Sequence, residues 1–157
     1  MESARADAVG TDHIEAPLAV RGSPVESISL RKLEEEGIIE RPWSVWDGPT
    51  ETVMTGGTGA TLTATGSDRF AQVRRQTREL FENRDVGSNI PPFARPRVFG
   101  GFAFHEREAD SHEKPDWRGF PDARFVLPAV SVIERDGQTW VTAAAVGNDA
   151  PNVAQRT

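Results

Sequence analysis

The sequence contains no cysteine, very little lysine and no long apolar run. Without cysteine the chain has no disulfide, no thiol nucleophile and no cysteine-ligated zinc. No segment approaches the ~20 consecutive apolar residues needed to span a bilayer. The N-terminal stretch MESARADAVGTDHIEA is acidic and lacks the apolar core of a signal peptide. We therefore expect a cytoplasmic protein.

The charge balance disfavours polyanionic partners. The formal net charge is -6, whereas a phosphate backbone or an anionic membrane selects basic surfaces. We expect neither nucleic acid nor membrane as a partner. Lys32 and Lys114 are the only lysines among 18 basic residues. This bias fits a halophilic protein in a high-salt cytoplasm, and a GC-rich genome would produce the same arginine excess.

Length and composition indicate one folded domain. The 157 residues are 37% hydrophobic and 27% charged, which is ordinary for a globular chain. Residues 1–27 show no clear periodicity, and we predict a disordered arm there. The rest, residues 28–157, is expected to fold.

The strongest helical signal is SDRFAQVRRQTRELFENR, residues 67–84. Ser67 suits the N-cap, and Arg74, Arg75 and Arg78 fall on the polar face. One apolar stripe, expected to face a sheet, is formed by Phe70, Val73, Thr77, Leu80 and Phe81.

A shorter helix is indicated in SISLRKLEEEGII. Ser27 or Ser29 would cap it, Leu30 and Leu33 would share a face, and Gly37 would end it.

Most other segments read as strands. RPWSVW and ETVMTGGTGATLTAT flank the turn Asp47-Gly48-Pro49 and predict an antiparallel pair. Further strands are predicted at 96–104, 123–134 and 138–146, with Asp136-Gly137 as the hairpin turn of the last two. The fold class is therefore α+β, a partial antiparallel sheet with one main helix.

No motif in the chain makes a convincing catalytic site. GGTGATL lacks the third glycine and the following helix of a dinucleotide-binding turn. The acidic loop after Phe104 matches no zinc-ligand spacing, although it carries His105, Glu106, Glu108, Asp110, His112 and Glu113. We predict no catalytic, cofactor-binding or metal residue in this chain.

The order of the segments is more informative than any one of them. ATLTATGSDRFAQVRRQTRELF is followed by ARPRVFGGFAFH, a loop with Trp117, FPDARFVLPAV and DGQTWVTAAAV. From about residue 40 to residue 157 this order resembles the N-terminal part of the menaquinone-type isochorismate synthases, within the chorismate-utilising family. The strand PRVFGGFAF and the strand FVLP carry the resemblance most clearly.

The resemblance implies an α+β sandwich and a role for the glycine pair. A strand such as VFGGFAF would be central, and Gly100 and Gly101 would let a neighbouring element pack against bare backbone. The alternative is that the two glycines line the substrate cavity.

The resemblance also implies that the chemistry lies elsewhere. In the family, a lysine that activates water, a glutamate that protonates the departing hydroxyl and glutamates that hold Mg2+ belong to the C-terminal part, and none has a counterpart here. We expect residues 28–157 to be the N-terminal portion of one chorismate-utilising domain, inactive alone and without a cofactor of its own.

Chorismate would be a partner only of the completed domain, and apolar strands at 96–104, 123–134 and 138–146 would be left open to self-association. Two alternatives stay open. The chain could belong to the anthranilate or aminodeoxychorismate synthase branch, or it could be a standalone β-rich binding module.

Overall fold

The computed structural model describes residues 17–26, 30–37, 41–104 and 120–147. Helices and strands alternate irregularly along these residues, which confirms the α+β class. In chain order they are β1 (Leu18–Val25), α1 (Leu30–Glu35), β2 (Trp43–Asp47), β3 (Glu51–Gly56), β4 (Ala60–Ala64), α2 (Arg69–Glu82), β5 (Arg84–Val86), a 3-10 turn (Pro92–Ala94), β6 (Phe99–Phe102), β7 (Ala123–Leu127), β8 (Val130–Arg135) and β9 (Gln138–Val146).

The strands form two sheets. The larger has the order β2-β3-β8-β9-β1-β5, and the smaller has the order β4-β7-β6. All neighbours are antiparallel except β1 and β5, which pair in parallel. The predicted antiparallel architecture is confirmed, with one parallel pair added at an edge.

Two predicted hairpins are confirmed. Strands β8 and β9 pair antiparallel across Asp136-Gly137. Both turn residues have positive φ, 52° and 73°. Positive φ at both central residues is characteristic of a type I′ turn, whose twist matches the right-handed twist of the two flanking strands. Strands β2 and β3 pair from Asp47↔Thr52 onward, around the turn that contains Gly48.

Two predicted strand segments, 51–65 and 123–134, are each divided into two strands that belong to different sheets. The chain leaves the large sheet after β3 and enters the small one at β4, and it returns between β7 and β8. Gly57 has φ +64°, and a Cβ there would lie 3.1 Å from the Cβ of Ala129. At Gly59 a Cβ would lie 2.9 Å from the Ala144 carbonyl oxygen. The two crossings therefore touch, and we call this region the corner, residues 57–59 with 128–129.

One apolar core lies between the sheets. Val53 and Ile133 come from the large sheet, Leu62 and Leu127 from the small sheet, and Leu80 from α2. All five side chains are at most 2% exposed. Burial of this kind is worth about 1.5–3 kcal/mol for each large aliphatic side chain. The core therefore holds both sheets and α2 together.

Helix α2 lies inside the predicted segment 67–84 and is two residues shorter at each end. It begins at Arg69, and Asp68 occupies the N-cap position without a side-chain capping bond. The Asp68 carboxylate instead accepts a hydrogen bond from Gln72 Nε2 at 2.6 Å. The prediction of Ser67 as the cap is wrong, because the chain is still in a turn there.

The apolar stripe of α2 is confirmed over its middle and end. Val73 and Leu80 are buried, whereas Phe70 is 52% exposed. The Phe70 ring lies 4.4 Å from that of Phe102 on β6, centroid to centroid, and so covers that strand. The three arginines Arg74, Arg75 and Arg78 are exposed, as predicted.

Strand β1 corrects the prediction of a disordered arm, which is wrong for residues 18–25. The strand lies between β9 and β5, and Leu18 and Val20 are fully buried. Its signal is weak in the sequence because Gly22 and Pro24 interrupt it. Pro24 is tolerated because β5 pairs only with residues 18–20, and no other described strand pairs with the rest of that side. Residues 1–16 lie outside the described part of the chain.

Helix α1 confirms the shorter helical prediction. It is followed by Gly37 at φ +68°, the left-handed conformation expected of a helix stop. Leu33 is fully buried and packs with Met54, Val130, Val132 and Val141 on the face of the large sheet opposite the main core. Ser27 and Ser29 lie outside the described residues.

The expectation of open apolar strands is wrong for four of the side chains concerned. Leu127, Val130, Val132 and Val141 are buried. Phe102 and Phe104 are exposed, as expected for β6. The most exposed strand is instead β2, all five residues of which are exposed.

The glycine pair on β6 has a packing role at one position only. A Cβ on Gly100 would collide with the Arg124 carbonyl oxygen and lie 2.5 Å from Phe125 Cα. At Gly101, no described atom lies within 4 Å of a Cβ. The close-packing prediction is therefore confirmed for Gly100 and wrong for Gly101.

This difference makes a matched test. Gly100→Ala should lower the free energy of unfolding by about 1–3 kcal/mol, because β6 and β7 must separate to admit the methyl group. Gly101→Ala should leave it within about 0.5 kcal/mol of the parent. Denaturant midpoints of the two variants measure the contrast, and equal midpoints would refute the role assigned to Gly100.

Candidate functional site

A cleft among the described residues lies where α2 ends and the chain turns back through β5. Its volume is ≈ 570 Å³, within the range of small-molecule sites. It is lined by Phe81, Arg84, Val86, Gly87, Ser88, Ile90, Arg95 and Pro96. A second hollow beside it shares Phe81 and Arg84 and adds Arg78 and Glu82.

Strand alternation places the cleft residues of β5. Successive side chains of a strand point to opposite faces, so Arg84 and Val86 line the cleft while Asp85 does not. The Asp85 carboxylate is held by Arg21 of β1, whose Nη2 lies 2.6 Å from Oδ2. This acid is thus turned away from the cleft.

The floor of the cleft is apolar and rests on the core. Ile90 is 4% exposed. Gly22 of β1 lies so close to Ile90 that a Cβ there would come within 3.2 Å of its Cδ1. Phe81 and Val86 are half-buried and pack against the main core. The floor is therefore a fixed part of the fold.

Arg84 also contacts the C-terminal turn of helix α2. Its Nη1 donates a hydrogen bond of 2.7 Å to the Phe81 carbonyl oxygen. Carbonyl groups in the last turn of a helix have no intrahelical partner and carry a partial negative charge, which a cation offsets. The bond fixes the Arg84 guanidinium at the edge of the cleft.

The opposite wall follows the 3-10 turn and is held to the large sheet by two contacts. Arg97 Nη1 and Nη2 lie 2.5 and 3.1 Å from the two carboxylate oxygens of Glu51 on β3. Thr142 Oγ1 of β9 donates to the Ala94 carbonyl at 2.8 Å. Arg95 and Pro96 are positioned between these two anchors.

The contact with Arg97 changes the pKa of the Glu51 carboxyl group. The hydrogen bond from Arg97 lowers the pKa of Glu51 against the opposing effect of burial, and the charges of Arg97 and Arg135 lower it further. A lowered pKa in the folded state stabilises the fold above the unfolded-state pKa. The stabilisation is lost as the pH falls through the folded-state value.

We therefore predict a pH-dependent effect of Glu51→Gln. At neutral pH the variant should lose about 1 kcal/mol of unfolding free energy, because a two-point ion pair at a partly exposed site becomes a neutral contact. As the pH falls through the lowered folded-state pKa of Glu51, parent and variant should converge, because the parent carboxyl becomes protonated. Thermal melts across this range measure the difference. Glu134→Gln, an exposed carboxylate on β8, is the control, and a Glu51→Gln effect that persists at low pH would contradict the account.

The structure places few of the candidate residues that the sequence singles out. The segment GGTGATL contains residues 57–59 of the corner and continues directly into strand β4. It is therefore followed by a strand and not by the helix of a dinucleotide-binding turn. The loop with His105, Glu106, Glu108, Asp110, His112 and Glu113 lies outside the described residues. Sequence reasoning did not find the cleft, because Arg84, Ser88 and Arg95 lie in a helix end and a turn-rich segment with no motif of their own.

Within residues 17–26, 30–37, 41–104 and 120–147 no three histidine or acidic side chains come together as metal ligands. We assign no step of any reaction to a metal held by these residues. In the same part of the chain, no helix is long and apolar enough to cross a membrane.

The chain matches a known protein family. A family model described as "Chorismate binding enzyme" matches residues 20–157. No curated protein matches the chain significantly. The family match begins within β1, and so includes the strand that the sequence alone did not reveal.

Proposed function

Since the chain belongs to the chorismate-binding enzyme family, we propose that it forms the N-terminal scaffold of an isochorismate synthase. Such an enzyme converts chorismate to isochorismate. The ordered set of segments from about residue 40 to residue 157 carries the proposal, because PRVFGGFAF and FVLP occur with the order and spacing of that branch.

The pairing of these two segments supports a shared structural role. PRVFGGFAF contains β6 and FVLP ends β7, and the two strands are neighbours with Gly100 opposite Phe125. Gly100 allows the strands their close approach. Phe102 contacts both Phe125 and Phe70 of α2, with ring centroids 5.0 and 4.4 Å apart. PRVFGGFAF and FVLP, the segments that carry the resemblance, thus contribute two strands of the small sheet and contact helix α2 through Phe102.

The proposed reaction requires three kinds of chemical group. Water adds at one ring carbon while hydroxide leaves another, so a general base, a general acid and a cation for the substrate carboxylates are needed. The resemblance assigns these groups to the C-terminal part of the family. We propose that this chain, from β1 onward, holds the sheets in place and leaves the chemistry to that part.

The first prediction from this proposal concerns activity. Purified 1–157 incubated with chorismate and Mg2+ should form no isochorismate above the background without protein. Chromatographic separation of the two isomers measures this. A full-length isochorismate synthase assayed in parallel shows that product would be detected.

Turnover by 1–157 would contradict the proposal. If that turnover disappeared in His105→Ala or His112→Ala, the acidic loop would contain the catalytic groups. The scaffold role would then be wrong.

Strand β2 is the second basis for the scaffold role. It forms an edge of the large sheet, and Trp43, Val45 and Trp46 are 39%, 46% and 67% exposed. Exposed apolar edge strands are rare in monomers because their free backbone groups pair with other chains. We propose that β2 is covered by the remainder of the chorismate-binding domain, and that the isolated chain associates with itself through this strand.

The corresponding prediction is that 1–157 sediments as dimers or larger species. Trp46→Lys with Val45→Lys should shift it toward monomer, because two charges on an edge strand oppose pairing. Arg74→Lys and Arg78→Lys on the exposed face of α2 form the matched control. Analytical ultracentrifugation of the three proteins measures this, and a monodisperse parent monomer would refute the association.

A further inference from the structure

We propose that the cleft formed by Phe81, Arg84, Ile90 and Arg95 binds a small organic carboxylate with an apolar ring. The site differs from any chorismate site of the proposed enzyme, because none of the catalytic groups implied by the resemblance belongs to it. The proposal does not depend on the proposed function.

The donors around the cleft are available to a ligand. The Arg95 side chain forms no hydrogen bond or ion pair with the residues that the structure describes, and neither does the Ser88 hydroxyl. Arg84 uses Nη1 on the Phe81 carbonyl, and no described acceptor occupies its other guanidinium nitrogens. An arginine fork presents paired N–H groups whose geometry matches a carboxylate.

The charge of the cleft is opposite to that of the chain. The formal net charge of the whole is -6, yet two arginines are among the residues that line this cleft and none of its lining residues is acidic. Asp85, the acid nearest in sequence to Arg84, is paired with Arg21. Glu82 lines the neighbouring hollow. Two like charges at one cleft repel each other, and a bound anion relieves that repulsion.

The negative end of α2 is partly offset at this point. The last carbonyl groups of a helix repel a carboxylate, and one of them, that of Phe81, accepts a hydrogen bond from Arg84.

The apolar floor selects a ring over an inorganic anion. Phe81, Val86, Ile90 and Pro96 line the cleft together with the two arginines. Ligand sites commonly combine a largely apolar surface with a few polar groups that fix orientation. A volume of ≈ 570 Å³ is larger than phosphate or acetate needs, whereas a planar ring can cover the floor while its carboxylate reaches the guanidiniums. Because Arg84, Ser88 and Arg95 are exposed, we expect affinity on the order of millimolar.

Benzoate is a suitable probe, and saturation-transfer difference NMR is a suitable readout. The method observes the ligand, so it works on an associated protein as well as on a monomer. Titration of 1–157 with benzoate should show saturable transfer. Benzamide, which has the same ring without the charge, should show little, and acetate, which lacks the ring, should not displace benzoate at equal concentration.

The variant that tests the site is Arg95→Gln, because Arg95 holds no part of the fold through its side chain. It should weaken benzoate binding on the order of tenfold, the loss expected for a charged hydrogen bond. Arg95→Lys should be intermediate, since it keeps the charge and loses the fork. Arg74→Gln on α2 is the control and should bind as the parent does.

Three results would overturn the proposal. They are the absence of benzoate transfer, equal binding by parent and Arg95→Gln, and equal binding of benzamide and benzoate. Displacement of benzoate by an equal concentration of acetate would also refute the ligand class, because the apolar floor would then contribute nothing.

Discussion

At the corner, the backbone passes between the two sheets twice and packs too closely for a side chain at Gly59. Two chain segments cross there between the sheets. Gly59 N donates a hydrogen bond of 2.8 Å to the Leu127 oxygen at the end of β7, and Ala144 N of β9 donates one of 2.8 Å to the Ala129 oxygen. Only glycine fits at residue 59, because carbonyl oxygens of Leu127, Pro128 and Ala144 surround the position of its Cβ. Without this crossing the sheets could not share one core.

The corner also explains where the cleft can form. Once the sheets are fixed, α2 packs on β4 and β7, and the chain must return from its end to β6 past the edge of the large sheet. That return includes β5, which pairs with β1, and the 3-10 turn, which is anchored through Thr142 and Arg97. The cleft lies between these two anchored segments, and its residues are held by the backbone rather than by a motif.

Local patterns in the sequence predicted local structure well. The Asp136-Gly137 hairpin and the body of α2 depend on neighbours in the chain, and both are confirmed. Strand β1 could not be found in this way, because its partners β9 and β5 are distant in sequence and Pro24 masks its pattern. The two glycines of β6 look alike in sequence, and only the path of β7 makes Gly100 necessary and Gly101 replaceable. The cleft depends on the same long-range placement, so Arg84 and Arg95 carried no signal.

The central claim is that this chain is a scaffold on which another part of a chorismate-binding domain performs the chemistry. Its most direct test is to produce the C-terminal part of an isochorismate synthase with and without 1–157 and to measure isochorismate formed from chorismate with Mg2+. The account predicts little product from either part alone and clear product from the two together, reduced when Gly59→Val disrupts the corner. A C-terminal part that is as active without this chain as with it would contradict the claim.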